Sequence, residues 1–434
     1  MSIWGRAMEM ADQTPVERNR YVDFLRAFSI ACVVLGHWLV AAPYVEEGQL
    51  TGAHLLGVLD WSQWLTWLFQ VMPIFFLVGG YSNGVSWSLT LAREGAYATW
   101  LVGRLQRLIN PVMPLFLLWA VFAGFANLAG VSVEMVSLVT QLALVPVWFL
   151  AVYLIVVAFV PLTWRLWQSL GMGSILLLMG LAIIVDVLEF QVGIKHISYL
   201  NFAFVWLAVH QLGYAWQAGR LSGASAIVVG VLGLIALLAL TVFGPYPIAM
   251  IGVPGAEISN SMPPTIALLA LGLTQTGLLL SLEIPFRAWL SKTSRWAAVI
   301  LVNGMIMSVY LWHLTAFIIA TALGYAFGLG LELEPGSPVW WWARLIWVPL
   351  FVLFLVPLAL LFARFEQGGM PIPDALPAWR LVAAVILVCG GLALTAAGGI
   401  GSAGWTGIKL WVVALPFIGA GLVNFGPLAG RFTR

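Results

Sequence analysis

Long apolar segments recur along almost the whole chain, and they constrain its fold more than any other feature of the sequence. A helix needs about 20 predominantly apolar residues to cross the hydrocarbon core of a bilayer. We count twelve such segments: 24–43, 63–89, 108–129, 136–162, 172–190, 197–217, 223–243, 264–284, 297–326, 340–363, 380–399 and 408–430. Only 8% of the residues are charged, against roughly 25% in soluble domains. We therefore predict an all-α, polytopic integral membrane protein with about twelve transmembrane helices.

The lysines and arginines are distributed unevenly between the two sides of this topology. With the N-terminus inside, 16 of them lie on the cytoplasmic side, including Arg431 and Arg434, and only Lys195, Arg344 and Lys409 lie opposite. Because basic residues favour cytoplasmic loops, we expect both termini in the cytoplasm. The polar, mixed-charge N-terminus does not resemble a cleaved signal peptide, so we expect the first apolar segment to stay as a span. We therefore expect a multi-pass protein of the cell membrane, plasma or inner.

Composition also narrows the partners and cofactors. The net charge of +2, without a basic block, argues against a nucleic-acid partner. The two cysteines, Cys32 and Cys389, lie in apolar runs and imply no disulfide framework. No cluster of His, Cys and carboxylate residues has the spacing of a metal site, and we expect neither a metal nor a bound cofactor. The sequence leaves open whether the protein is an oligomer.

The first apolar segment carries the titratable side chains that are most informative about chemistry. Asp23 precedes Arg26 by three residues and can pair with it on one helix face. Arg26 and His37 are eleven residues apart, so on a helix they project from one face, about 16 Å apart along the axis. An arginine at the cytoplasmic mouth suits phosphate recognition, and a buried imidazole suits a general base. Arg26 could instead be a positive-inside anchor, and His37 a histidine that bonds a neighbouring helix.

An ordered set of further motifs accompanies this Arg-x10-His arrangement. The second apolar segment reads Met72-Pro-Ile-Phe-Phe-Leu-Val-Gly-Gly80-Tyr-Ser-Asn83. The other motifs are Arg104-x-x-Arg107 with Pro111, Pro146-Val-Trp148-Phe-Leu, Asn260-Ser-Met-Pro-Pro-Thr265 and Ser308-Val-Tyr310-Leu-Trp-His313. Together these motifs resemble the acyltransferase 3 family of integral membrane acyltransferases, whose signature in the second segment has Ser where Gly79 stands here.

The resemblance implies transfer of an acyl group, which could be acetyl, from acyl-coenzyme A as co-substrate to a hydroxyl of a glycan, glycolipid or other acceptor. His37 would be the general base, and Arg26 would hold donor phosphates or position the thioester. Arg104 and Arg107 would sit at the cytoplasmic rim near the coenzyme A phosphates. The remaining candidates for donor or acceptor binding are Asp23, Tyr81, Trp148, Tyr310 and His313.

The resemblance also divides the chain. Residues 1–22 are expected to form a cytoplasmic N-terminal segment, 23–330 the acyltransferase 3-like membrane core, and 331–434 additional C-terminal transmembrane helices. The alternative functions are a secondary transporter or exporter, which intramembrane charges would also suit, and a non-catalytic protein that binds a lipid or acyl group.

Several other segments lead to expectations about local structure. Pro73 and Pro146 should interrupt their helices. The 260–265 segment could shape a lip over the acceptor site or simply start a helix. Asp186 and Glu189, at the outer end of their span, could touch substrate but are expected mainly on a solvated face. The Gly79–Gly80 pair could let another helix or the donor approach closely.

Overall fold

A computed structural model describes residues 2–15, 17–366, 376–404 and 406–429, and helices make up most of this part of the chain. In chain order the α-helices of the described residues are α1 Ile3–Asp12, α2 Arg20–Val40, α3 Leu55–Val58, α4 Thr66–Phe69, α5 Met72–Ala92, α6 Tyr97–Ile109, α7 Val112–Leu128, α8 Val133–Leu144, α9 Val147–Ala158, α10 Val160–Leu170, α11 Met172–Phe190, α12 Asn201–Gln217, α13 Gly223–Thr241, α14 Ile266–Ser281, α15 Glu283–Trp289, α16 Thr293–Asn303, α17 Ile306–Ala326, α18 Pro338–Phe362, α19 Ala378–Gly398 and α20 Leu410–Leu422. The predicted all-α architecture is confirmed.

The described residues contain seven helical stretches that are long and apolar enough to cross a membrane. Three further pairs of helices pass the same test when each bent pair is taken as one span, which raises the number to ten. Two of the twelve predicted spans, 197–217 and 408–430, correspond to the shorter helices α12 and α20, of 17 and 13 residues. The chain is therefore a polytopic helical membrane protein, with fewer full-length spans than the apolar runs alone predict.

The bends in the helix pairs occur where proline or a short irregular stretch interrupts the hydrogen bonding. As predicted, Pro146 lies at a break, between α8 and α9, which are bent by 48°. The break predicted at Pro73 instead lies at residues 70–71, and Pro73 occupies the first turn of α5. Proline is tolerated there because the first-turn N–H groups have no partner within the helix.

The chain divides into two compact units. The first contains Met1–Ser88, Val160–Gly304 and Glu332–Trp341, and the second contains Leu89–Phe159, Met305–Leu331 and Trp342–Arg434. The predicted span 297–326 is divided at this boundary into α16 and α17. Each unit is therefore assembled from segments that are distant in sequence.

In the first unit, glycines allow two pairs of helices to cross closely. A side chain at Gly80 of α5 would overlap the backbone of α12 at His210 and Gly213. Gly230 of α13 and Gly277 of α14 face each other in the same way. The Gly79–Gly80 pair is predicted to allow a close approach, and the element that approaches it is helix α12.

The described residues form one small sheet, a hairpin in the first unit. Strand β1, Ala41–Glu46, follows α2 directly and pairs antiparallel with β2, Gln49–His54. Glu47 and Gly48 form the two-residue turn with φ values of 50° and 79°, as the right-handed twist of such hairpins requires. Ala42 and Leu55 pack with Trp340, which fixes the Glu332–Trp341 segment on the hairpin.

Candidate active site

Helix α2 carries three of the predicted site residues on one uninterrupted element. Asn19 caps its N-terminus by accepting a hydrogen bond from the backbone N–H of Tyr21. Asp23 lies in the first turn and His37 in the last. Because the helix runs unbroken from Arg26 to His37, the predicted rise of about 16 Å and the shared face apply.

Arg26 is held in a fixed position by two polar partners. Its guanidinium donates to Asp23 Oδ1 at 3.0 Å and to Ser82 Oγ at 3.1 Å. The second carboxylate oxygen of Asp23 accepts from Arg18 Nε at 2.8 Å. The Asp23 side chain is only 9% exposed, whereas that of Arg26 is 34% exposed. The predicted pairing of Asp23 with Arg26 is confirmed, and Arg26 keeps a surface that a ligand can reach.

Tyr81 lies in a second polar cluster near the start of α2. Asn19 Nδ2 lies 3.4 Å from the Tyr81 hydroxyl and donates to Glu283 Oε1 at 3.1 Å. Trp216 Nε1 donates to the other Glu283 oxygen at 2.8 Å, and its ring lies 4.5 Å from that of Tyr81. The structure thus brings Asp23, Arg26 and Tyr81 to one end of α2.

His37 lines a cavity of about 130 Å³ inside the first unit. Most of the cavity wall is aliphatic or aromatic, and only a few polar side chains accompany the imidazole. The other lining residues are Val33, Gly36, Leu39, Val40, Leu55, Leu56, Ser62, Leu65, Thr66, Phe69, Gln70, Met72, Ile251 and Trp341. A mostly apolar lining with a few polar groups is the usual composition of a ligand site.

Ile251 contributes to the cavity wall, and the irregular segment 247–251 that carries it is held in place by residues of α4 and of the α4–α5 break. The backbone N–H of Met250 donates to Thr66 Oγ1 at 2.9 Å, and its carbonyl accepts from Gln70 Nε2 at 3.2 Å. Trp67 Nε1 donates to the carbonyl of Ile248 at 2.9 Å. These bonds place Ile251 against the cavity, and none of them is readable from sequence spacing.

The 260–265 motif supports the same segment from its other side. Asn260 Nδ2 donates to the carbonyls of Pro247 and Ala249 at 2.7 and 3.0 Å, while its Oδ1 accepts from the Thr265 hydroxyl at 2.7 Å. Thr265 is also the residue before α14. The predicted helix start is therefore confirmed, and the motif also supports the loop that carries Ile251; a lip over the acceptor site stays a prediction.

The other predicted site residues lie in the second unit. Arg104 and Arg107 belong to α6; the Arg104 guanidinium lies 5.5 Å from the centre of the Trp100 ring, and Arg107 is exposed. Trp148 is part of α9 and is partly buried.

Tyr310 and His313 lie in α17 of the same unit. The Tyr310 hydroxyl donates to the carbonyl of Pro146 at 2.7 Å, and Nδ1 of the buried His313 donates to the Tyr310 carbonyl at 2.6 Å. The motifs around Pro146 and Tyr310 are thus in contact, although they are distant in sequence.

Asp186 corrects a prediction, because its carboxylate is buried rather than solvated. It accepts hydrogen bonds from Asn201 Nδ2, the Tyr246 hydroxyl and the backbone N–H of Ile266. The last bond caps the N-terminus of α14, where a negative charge is favoured by the helix dipole. Glu189 bonds the backbone N–H groups of His196 and Ser198. Both acidic residues therefore stabilise the ends of other elements.

The helices and their apolar surfaces define a multi-pass membrane protein. A family profile for acyltransferase 3, described as an acyltransferase domain, matches residues 19–364, which is most of the chain. The chain belongs to this family and is, in general terms, a membrane acyltransferase. Searches of curated proteins and of solved structures find no match.

Proposed function

We propose that this membrane acyltransferase moves an acyl group from acyl-coenzyme A to a hydroxyl of a glycan, glycolipid or other acceptor, with His37 as general base. The observation that supports this best is the position of His37, whose imidazole lines a mostly apolar cavity and lies on the same helix as the fixed, partly exposed Arg26. The reaction would take place in the cell membrane.

In the proposed reaction, the imidazole of His37 accepts the proton of the acceptor hydroxyl as the hydroxyl oxygen attacks the thioester carbonyl carbon. The carbon–sulfur bond then breaks, an ester forms, and coenzyme A leaves as a thiolate that takes the proton from the His37 imidazolium, which restores the neutral base. General-base assistance of this kind contributes about 10²–10⁴-fold to a rate.

Arg26 would bind the donor at the other end of α2. Its planar guanidinium suits bidentate contact with phosphate, and Asp23 and Ser82 fix its direction. A donor with its phosphates at Arg26 would direct its thioester inward toward His37. We assign Arg104 and Arg107 to the coenzyme A phosphates at the cytoplasmic rim, and Tyr81, Trp148, Tyr310 and His313 to further donor or acceptor contacts.

The transfer step can be tested with membranes that contain the protein and radiolabelled acetyl-coenzyme A. We expect label in membrane or glycan material as an ester that mild alkali releases, since an amide would resist. His37→Ala should lower this incorporation by at least about 100-fold. The exposed His196 is a matched control, and His196→Asn should leave incorporation unchanged. Wild-type incorporation in His37→Ala would remove His37 as the base.

Donor binding can be measured separately as thermal stabilisation of the purified protein by coenzyme A. A ligand at 100 times its Kd adds about 2.7 kcal/mol to the free energy of unfolding. Arg26→Ala should lose most of this gain, whereas Arg6→Ala, which removes an exposed arginine from α1, should keep it. A wild-type protein that responds to neither coenzyme A nor its esters would contradict the proposed donor.

A further inference from the structure

The wall of the His37 cavity is poor in free hydrogen-bonding capacity. Ser62 Oγ donates to the carbonyl of Leu59 at 2.6 Å, and Thr66 Oγ1 both donates to Gln63 and accepts from Met250. The amide of Gln70 donates to the Met250 carbonyl and accepts from the backbone N–H of Met72. These three side chains are therefore engaged by backbone groups. A buried sugar would leave several of its hydroxyls without partners, which is costly.

The size of the cavity also restricts what it can hold. Its volume of about 130 Å³ is close to that of an apolar cavity of about 150 Å³ that binds benzene, a ligand of six carbons. Sites for drug-sized ligands measure about 300–1,000 Å³. A hexose, with about a dozen non-hydrogen atoms and many hydroxyls, exceeds this space. An unbranched acyl group of up to about five carbons matches it in both size and polarity.

We infer that the cavity beside His37 is the acyl-chain pocket and that its walls limit the donor to short acyl groups. This inference rests on the proposed function, and it adds the substrate class and the residues that select it. The thioester carbonyl would lie near the imidazole and the alkyl tail would fill the apolar space. The acceptor hydroxyl would then approach His37 from outside this cavity.

Two wall residues are placed to set the chain-length limit. Phe69, the last residue of α4, contributes the larger side chain, and Gly36 faces it from α2. A Cβ added at Gly36 would lie 3.4 Å from Phe69 Cδ1, which is ordinary van der Waals contact. Gly36→Ala can therefore occupy part of the space without strain, whereas Phe69→Ala enlarges it by a phenyl ring.

The test is a series of acyl-coenzyme A esters with two to twelve acyl carbons, assayed for coenzyme A release in membranes that contain each variant. For wild type, kcat/KM should rise by about fourfold for each methylene that fits and then fall by at least about tenfold beyond about five carbons. Phe69→Ala should move this limit by about four carbons, toward longer chains. Gly36→Ala should shorten it by about one carbon.

Matched controls separate chain selection from general damage. Leu68, next to Phe69, is 58% exposed, so Leu68→Ala should keep the wild-type profile. Gly180→Ala adds a methyl group in α11 where nothing lies within 4 Å, so this variant should also keep the wild-type chain-length profile. If Phe69→Ala does not purify as a folded protein, Phe69→Leu provides a smaller enlargement and should move the limit by about two carbons.

The outcomes distinguish this inference from the proposed function. Wild-type protein that uses short esters, with Phe69 and Gly36 variants that share its profile, would overturn the pocket assignment and leave the transferase proposal standing. Efficient use of the twelve-carbon ester by wild type would overturn it as well. Absence of reaction with every ester would overturn the proposed function, and the pocket assignment with it.

Discussion

The Asp23 carboxylate lies between two guanidinium groups, those of Arg18 and Arg26. This arrangement explains how Arg26 can be held rigidly and still attract anions. Two cations and one anion leave one unit of positive charge in the cluster. Asp23 is nearly buried, so its hydrogen bonds are little weakened by competing water. Arg26 therefore keeps both a fixed direction and a net field that favours phosphate.

Glu366 gives a residue-scale prediction about pH. Its carboxylate accepts hydrogen bonds from the backbone N–H groups of Met307 and Ser308 at the start of α17. Burial outweighs these bonds and raises the pKa of Glu366 above its ordinary value of 4.5. The folded protein therefore binds the proton more tightly than the unfolded chain does. This group's contribution to stability is fully present below pH 4.5 and is lost as pH rises through the folded pKa.

The Glu366→Gln variant isolates this effect, because the amide oxygen can still accept a hydrogen bond but carries no charge. We expect its Tm to fall less than that of wild type as the pH is raised from about 4.5 to 7. Thermal unfolding of the detergent-purified proteins over this range measures the difference. Parallel curves for the two proteins would show that burial does not shift this carboxyl.

Part of the residue-scale picture is predictable from sequence. The Asp23–Arg26 pair follows from a spacing of three on one helix. Ser82 and Arg18, the other members of the cluster, do not, because Ser82 meets Arg26 only through the crossing of α2 and α5, and Arg18 precedes the helix. Asp186 was placed wrongly because its three donors come from other parts of the fold.

At the scale of elements, the crossing of α5 and α12 depends on the absence of a side chain at Gly80. A Cβ there would overlap the carbonyl oxygen of His210, and backbone cannot move aside as a flexible side chain does. We expect Gly80→Ala to destabilise the protein by about 3 kcal/mol, the upper part of the range for overpacked cores. Fluorescence-detected size-exclusion chromatography after heating measures the loss of folded protein.

Gly124→Ala in α7 is the matched control, since nothing lies within 4 Å of its added Cβ. Alanine is favoured over glycine inside helices by about 1 kcal/mol, so this variant should be as stable as wild type or slightly more stable. Equal heat resistance of Gly80→Ala and Gly124→Ala would contradict the close crossing.

Element positions follow from hydropathy, whereas element ends and bends do not. The apolar runs correctly locate helices in every predicted span. Helix α12 falls short of its predicted span because the residues before it, Ile197–Leu200, form a 3-10 helix, and α20 falls short because turns or irregular structure flank it. An apolar run reveals neither. Likewise, the break before Pro73 falls at residues 70–71. There the Gln70 side chain donates to the Met250 carbonyl, and the backbone carbonyl of Gln70 accepts from the Gln275 side chain.

At the scale of the whole molecule, the orientation in the membrane remains a prediction from the basic residues. Ten spans, like twelve, are an even number, so both termini are expected on one side; Arg431 and Arg434 lie outside the described residues. The hairpin carrying Gln49 should face away from the cytoplasm, and the loop carrying Arg93 should face it.

Single cysteines test this orientation. Cys32 and Cys389 are both buried, so alanine at both positions gives a cysteine-free background. A membrane-impermeant maleimide should label Gln49→Cys in intact cells and Arg93→Cys only after the membrane is permeabilised. The reverse pattern would invert the topology and place Arg26 on the wrong side for a cytoplasmic donor.

The packing of Trp340 on the hairpin bears on how the protein is made. Ala42 and Leu55 leave the ribosome early, whereas Trp340 follows only when most of the chain has been synthesised. Until then, the apolar side of the hairpin and the nearby wall of the His37 cavity lack their last partners, Trp340 and Trp341. The first unit is therefore completed only late in translation.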